Sequence, residues 1–412
     1  MKIKYYAAAG QWKHGLAGQL GIKMFQYFPE SGEMKLIENV QKDITPGQIL
    51  VNEKKGIIYA VDEVGSNPAD PGGSTIYSFR IEPETGKLLP LNKKRTLGAY
   101  PCYISLDAGG EYLLVSHNGD HEHVTKIIKN EKGEFSSETV YDDAALVLYR
   151  VNRDGSLGDI CDVSIPSNGG MQNSRAEILA EGSGINACVG VMSHLHSVTC
   201  NADSSLFAAC DMGMGMIYTY HIDRKKGKII QINSCYVDVG LQVRYSVFHP
   251  TKPYLYVNCE KRPYILVFSY NADTGELEEI NRIKTVLDDM DTSTGGNDLV
   301  IHPDGKYLYC SNISNSISVM EIADDGKLRL KQCVYCGGDR PRAICLSPDK
   351  RFLLCGNNRS ATITLFQVHL DGTLEQTEKV TEDVLPSAIK VFGIEAETIK
   401  NNGRYEKNNR RL

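Results

Sequence analysis

The sequence predicts an all-β chain folded as one seven-bladed β-propeller. Three observations predict it: a strand-and-turn phrase that recurs seven times, a repeat length typical of propeller blades, and chain ends that complement each other as strands of one blade. No single repeat carries this prediction, because each copy is imperfect. The period does, since repeats of roughly 40 to 50 residues are the mark of stacked four-stranded units.

The recurring phrase is a strand-like run followed, after a few turn residues, by glycine. It occurs at 22–28 before Gly32, 75–81 before Gly86, 146–151 before Gly155 and 216–222 before Gly227. It recurs at 264–270 before Gly275, 316–322 before Gly326 and 362–368 before Gly372. A tight hairpin often needs a residue of positive φ, which glycine adopts without a Cβ penalty. A second phrase precedes the first in most copies: an apolar strand, a Pro/Asp/Gly turn, and another apolar strand ending near Asn, Asp or Glu. It is clearest at 298–312 and 343–357. Each unit therefore holds about four short strands at the spacing expected of all-β folds.

Tyr5-Tyr-Ala-Ala-Ala9 fits the second strand of a unit and Ser387-Ala-Ile-Lys-Val-Phe392 the first, so strands from both termini would close one blade. The predicted organisation is a single propeller over 1–395, with insertions near 118–143 and 161–192, and a polar, basic tail at 396–412. Insertions in repeats map to loops, often on the binding face.

The chain has 412 residues, 42% hydrophobic and 23% charged, with 45 Lys+Arg against 51 Asp+Glu and a net charge of -6. That balance argues against nucleic acid as a partner, because phosphate neutralisation needs a basic surface. Eighteen consecutive apolar residues occur nowhere, and the N-terminal apolar run is too short for a signal peptide. A cytoplasmic protein with no membrane association is expected. The twelve Cys sit mostly singly in apolar runs, as small hydrophobes. The one CxxC, Cys333 to Cys336, lacks the second ligand pair that a structural zinc site requires.

In a propeller the first strand of each blade lines the channel, so polar residues that begin it, or that end the second strand, converge on one mouth. His194 and His196 open one first strand and, at i and i+2, share a face. Arg244 opens the next and Glu260 ends its partner; Glu63 ends the equivalent strand of an earlier unit and Arg342 opens a later one. His, Glu and Arg around one cavity suit acid/base work on an anionic ester: His or Glu moves a proton, and Arg grips a carboxylate or phosphate in bidentate fashion. His196, Arg244 and Glu260 are the predicted catalytic residues. His194, Glu63, Arg342 and Asn312 are the predicted substrate contacts. The cluster from His117 to His123 reads as a solvated insertion loop, and no metal site or cofactor is predicted.

Several phrases resemble the seven-bladed lactonase family, which contains bacterial 6-phosphogluconolactonases and fungal carboxy-muconate cyclases. Tyr59-Ala-Val-Asp-Glu63, Gly98-Ala-Tyr-Pro-Cys102, Ser193-His-Leu-His-Ser-Val198, Val243-Arg-Tyr-Ser-Val-Phe-His-Pro250, Tyr309-Cys-Ser-Asn312 and Arg340-Pro-Arg342 follow the family's order. The resemblance implies metal-independent hydrolysis of an anionic sugar-acid lactone, with His196 or His194, Arg244 and Glu260 on the family's catalytic cluster. Its alternatives are a lactonizing cycloisomerase or a non-catalytic binding propeller. Tyr103 and Tyr245 stand where the family commonly has His, and Ile313 where it usually has Arg.

Overall fold

A computed structural model describes residues 2–13, 20–65, 73–119, 123–166, 192–382 and 384–396. Seven four-stranded antiparallel sheets carry the predicted units. Numbered in chain order by their first strands, blade 1 is Pro46–Asn52, Ile57–Asp62, Thr75–Ile81 and Leu88–Arg95. Blade 2 is Pro101–Leu106, Tyr112–His117, Leu146–Val151 and Leu157–Ser164. Blades 3 to 6 open on Leu195–Cys200, Val243–Phe248, Gly296–Ile301 and Pro341–Leu346. Blade 7 joins the ends: Pro386–Ala396 is its inner strand, and Lys2–Gln11, Ile22–Phe28 and Glu33–Val40 follow outward. The closing ladder runs from Lys2↔Ala396 to Gln11↔Pro386. Each inner strand touches the inner strand of both neighbours, and the ring is complete.

The predicted insertion near 118–143 is a two-stranded hairpin, His123–Lys129 with Phe135–Tyr141. Most of 161–192, and the tail beyond 396, lie outside the described residues.

Burial follows position within the blade. Second strands such as Tyr112–His117 are buried on both faces, because each is flanked by two strands and covered by two blades. Fourth strands such as Leu374–Thr381 expose Glu and Lys on the outer rim, which guards an unpaired edge against association. There is no single core. Seven apolar clusters form, and each draws on two adjacent blades; Tyr6, Ala8 and Met24 of blade 7, for example, pack with Ile58, Ala60 and Phe79 of blade 1. A blade cannot bury its faces alone, so stability is shared between neighbours.

The seven predicted glycines all have positive φ, from 63° at Gly227 to 86° at Gly155. They also do something that the hairpin argument does not require. At six of them an added Cβ would fall 2.3–2.6 Å from a side chain of the neighbouring blade. In three of these turns a buried tyrosine of the preceding blade also donates to the glycine carbonyl: Tyr59 to Gly155 at 2.8 Å, Tyr256 to Gly326 at 3.1 Å and Tyr309 to Gly372 at 3.0 Å. The turn is a docking point between blades as well as a hairpin. Gly326→Ala is therefore expected to lower unfolding free energy by more than the ~1 kcal/mol of the left-handed backbone alone. Tyr256→Phe should cost about 1 kcal/mol, both read by chemical denaturation.

Candidate active site

The mouth is assembled by one repeated irregularity. In every inner strand the ladder to the second strand gains one extra residue just after its first pair; in blade 4 two residues, Arg244 and Tyr245, stand against one, Asn258. A bulge of this kind re-aims a side chain and breaks the alternation of faces. The residues at that position are Gly47, Cys102, His196, Arg244, Asn297, Arg342 and Ser387. A second ring stands beside them. In each blade the residue after the second strand donates its N–H, at 2.8–3.0 Å, to the carbonyl of the residue before the inner strand; these donors are Trp12, Glu63, Asn118, Met212, Glu260, Ile313 and Asn358.

Four of the bulge residues tie their blade to the next. Arg244 Nη1 donates to the Asn297 carbonyl, Asn297 Nδ2 to Pro341 O at 2.8 Å, and Ser387 Oγ to Pro46 O. Cys102 Sγ lies 3.3 Å from His196 O. Among the described residues Gly47, His196 and Arg342 make no such tie, and with Arg244 they frame the candidate site. A Cβ on Gly47 would fall 1.6 Å from Glu63 Oε2, so glycine is what lets the Glu63 carboxylate occupy that space. Arg342 Nη2 stands 3.3 Å and 3.4 Å from the two Glu63 oxygens, and the Arg342 guanidinium lies 4.0 Å from the Trp12 ring centre.

Arg244, its side chain 4% exposed, places Nε 2.6 Å from Glu260 Oε2, as an ion-pair contact rather than an aligned hydrogen bond. Its guanidinium also covers Tyr245 at 4.3 Å. His196 packs edge-on to Tyr245 at 5.4 Å, and Tyr245 in turn to Tyr103 at 5.1 Å. Burial holds His196 well below the usual imidazole range, and the Arg244 and Arg342 cations add to the effect. It is a neutral imidazole at pH 7. Its Nδ1 is buried without a hydrogen-bond partner among the described residues. Burial pushes Glu63 above the usual carboxylate range, against the pull of Arg342 and Arg244.

Of the predicted site residues, His196, Arg244, Glu260, Glu63 and Arg342 thus come together. Asn312 and His194 stand apart. Asn312 precedes the ring by one residue, and strand alternation turns it into the blade. Fully buried, it donates to Ser316 Oγ at 3.0 Å and Ser318 Oγ at 2.7 Å, and Ile313 holds the ring position. The expected shared face of His194 and His196 fails because His196 is itself the bulged residue. His194 is fully buried, with Nδ1 2.6 Å from the Asn118 carbonyl and its N–H on Asp211 at 2.8 Å. His117 is likewise in a blade, 3.0 Å from Ala145 O, and 120–122 lie outside the described residues. A cleft of about 850 Å³ on the opposite face, beside Tyr5, Lys55 and Arg80, is remote from these groups.

The sequence reading missed Trp12 and Tyr245. Trp12 was accessible to it: following Tyr5–Ala9 to the end of that strand in the register of Tyr59–Glu63 places Trp12 opposite Glu63. Removing Glu260 leaves the buried Arg244 without its contacting carboxylate, so Glu260→Ala should lower unfolding free energy by about 3 kcal/mol. Glu260→Gln should lower it by less, as checked by urea titration.

Residues 8–391 match the family described as Lactonase, 7-bladed beta-propeller. The chain is 23% identical over 390 residues to a 6-phosphogluconolactonase of Bacillus subtilis, covering 94% of this chain and 96% of the relative. A 6-phosphogluconolactonase of Formosa agariphila is 24% identical over 355 residues, covering 84% and 88%. Among solved structures, the periplasmic gluconolactonase of Pseudomonas aeruginosa superposes with a TM-score of 0.77 at 20% identity, covering 95% of this chain and 99% of that one.

Proposed function

The chain belongs to the seven-bladed β-propeller lactonase family, and on that premise we propose that it is a carboxylic-ester hydrolase opening a sugar-acid lactone of the 6-phosphogluconolactone type. The observation that carries the site assignment is a neutral, partnerless histidine nitrogen beside two guanidiniums, each braced by a carboxylate. His196 Nδ1 accepts a proton from the water that attacks the lactone carbonyl. Arg244 and Arg342 stabilise the oxyanion as the carbonyl carbon becomes tetrahedral. The bond from that carbon to the ring oxygen then breaks, the ring oxygen takes the proton from His196, and the product is a hydroxy acid. Its carboxyl group ionises at neutral pH, so each turnover releases one proton. Glu260 and Glu63 hold the two guanidiniums in place.

Every described cysteine is unbonded, which supports a reducing, cytoplasmic compartment for the protein. No helix among the described residues is long and apolar enough to cross a membrane.

Proton release from gluconolactone, its 6-phosphate and a muconolactone tests the reading. His196→Ala is expected to lower kcat/KM on the best substrate by about 10²-fold or more, and wild-type activity should persist in EDTA. Equal rates for wild type and His196→Ala would sink the assignment. The pH profile supplies a second check. A base whose pKa lies well below 6.5 stays deprotonated on mild acidification, so the acid limb assigned to His196 should fall below the ordinary imidazole range.

A further inference from the structure

Both arginines that sequence reasoning placed at the mouth are already engaged, Arg244 with Glu260 and Arg342 with Glu63. Nearby Arg359 has Asp339 at 3.5 Å. Arg340 has no ion pair or side-chain hydrogen bond among the described residues. Yet it shares their electrostatic neighbourhood: burial lowers its pKa, Glu260 opposes that, and Arg342, Arg244 and Arg359 reinforce it.

Its backbone belongs to the ring of hydrogen bonds at the mouth. The φ of Arg340 is 60°, its N–H donates to Asn315 Oδ1 at 2.8 Å, and its carbonyl accepts from Asn358 N at 2.9 Å. Tyr100 and Gln242 have the same positive φ at the same point of blades 2 and 4, the residue before the inner strand. The left-handed entry thus recurs in three blades, and in blade 6 the residue that adopts it is a cation.

We propose that Arg340 binds the anionic substituent of the substrate, a phosphomonoester or carboxylate remote from the lactone carbonyl, and so selects charged lactones over neutral ones. A guanidinium with no carboxylate partner among the described residues, and with three others near it, gains from an oxyanion ligand what its neighbours obtain from Glu260, Glu63 and Asp339. This rests on the lactonase reading and adds the specificity residue to it.

The test compares wild type with Arg340→Gly, which keeps the left-handed backbone that glycine prefers, and with Arg340→Lys, which keeps the charge. On gluconolactone 6-phosphate, Arg340→Gly should raise KM about tenfold or more with kcat nearly unchanged. Neutral gluconolactone should be unaffected, and Arg340→Lys should recover most of the loss. A muconolactone arm distinguishes the anions: a KM rise there alone assigns a carboxylate, and a rise with the 6-phosphate alone assigns a phosphomonoester. Equal changes on neutral and charged lactones, or none on either charged lactone, overturn the proposal.

Should wild type hydrolyse no lactone, the functional reading fails but Arg340 remains testable. Trp12 is the only tryptophan of the chain and lies against Arg342, so its emission reports on the rim. Inorganic phosphate should change that emission in wild type and not in Arg340→Gly. The same response in both would overturn the assignment.

Discussion

The residue skipped in each inner ladder is the constraint on which the site depends. A strand in regular register alternates its side chains, and the first residues of seven such strands would point alternately into the channel and into the blades. One extra residue per strand, always at the same pair, presents seven equivalent positions around the axis. Four of them hydrogen-bond to the next blade. The other three are Gly47, which adds no side chain, His196 and Arg342. Arg244 belongs to both sets, since it ties blade 4 to blade 5 and also stands at the mouth beside Glu260.

The charges at the mouth are arranged so that none of the deeply placed ones is left uncompensated. Arg244 is almost wholly buried, and without Glu260 its guanidinium would lose the carboxylate in direct contact with it, leaving only the more distant Asp298 and Glu63 against the desolvation penalty. Glu63 fits only because its neighbour is glycine, and it meets Arg342 from one side while Trp12 covers the guanidinium from another. With two cations fixed in this way, protonating His196 would add a third positive charge to a site from which water is largely excluded. The imidazole therefore stays neutral, which is the form a proton acceptor requires. Geometry and electrostatics favour the same role for it.

Part of the site was legible in the sequence because it repeats. Glu63 and Glu260 follow second strands at matching positions, and Arg244, Arg342 and His196 sit at matching points of first strands, so aligning the copies aligned the mouth. The reading of Asn312 failed by a single residue, and in a strand one residue is the difference between the two faces. The reading of His194 failed because i, i+2 pairing assumes a regular strand, and a bulge leaves no compositional mark. Trp12 was legible by the same alignment, although blade 7 is cut, with its second strand beginning the chain and its first strand ending it.

The sequence by itself determined the number of blades, the seven positive-φ turns and the closure by both termini, because each follows from local periodicity and backbone preference repeated along the chain. Only the tertiary structure decided which charges are partnered. Arg342 and Glu63 are brought together across the closing seam from distant parts of the chain, and Arg340 has no ion pair among the described residues. Pairing depends on distances between blades, and the repeat pattern carries no information about those until the ring has closed.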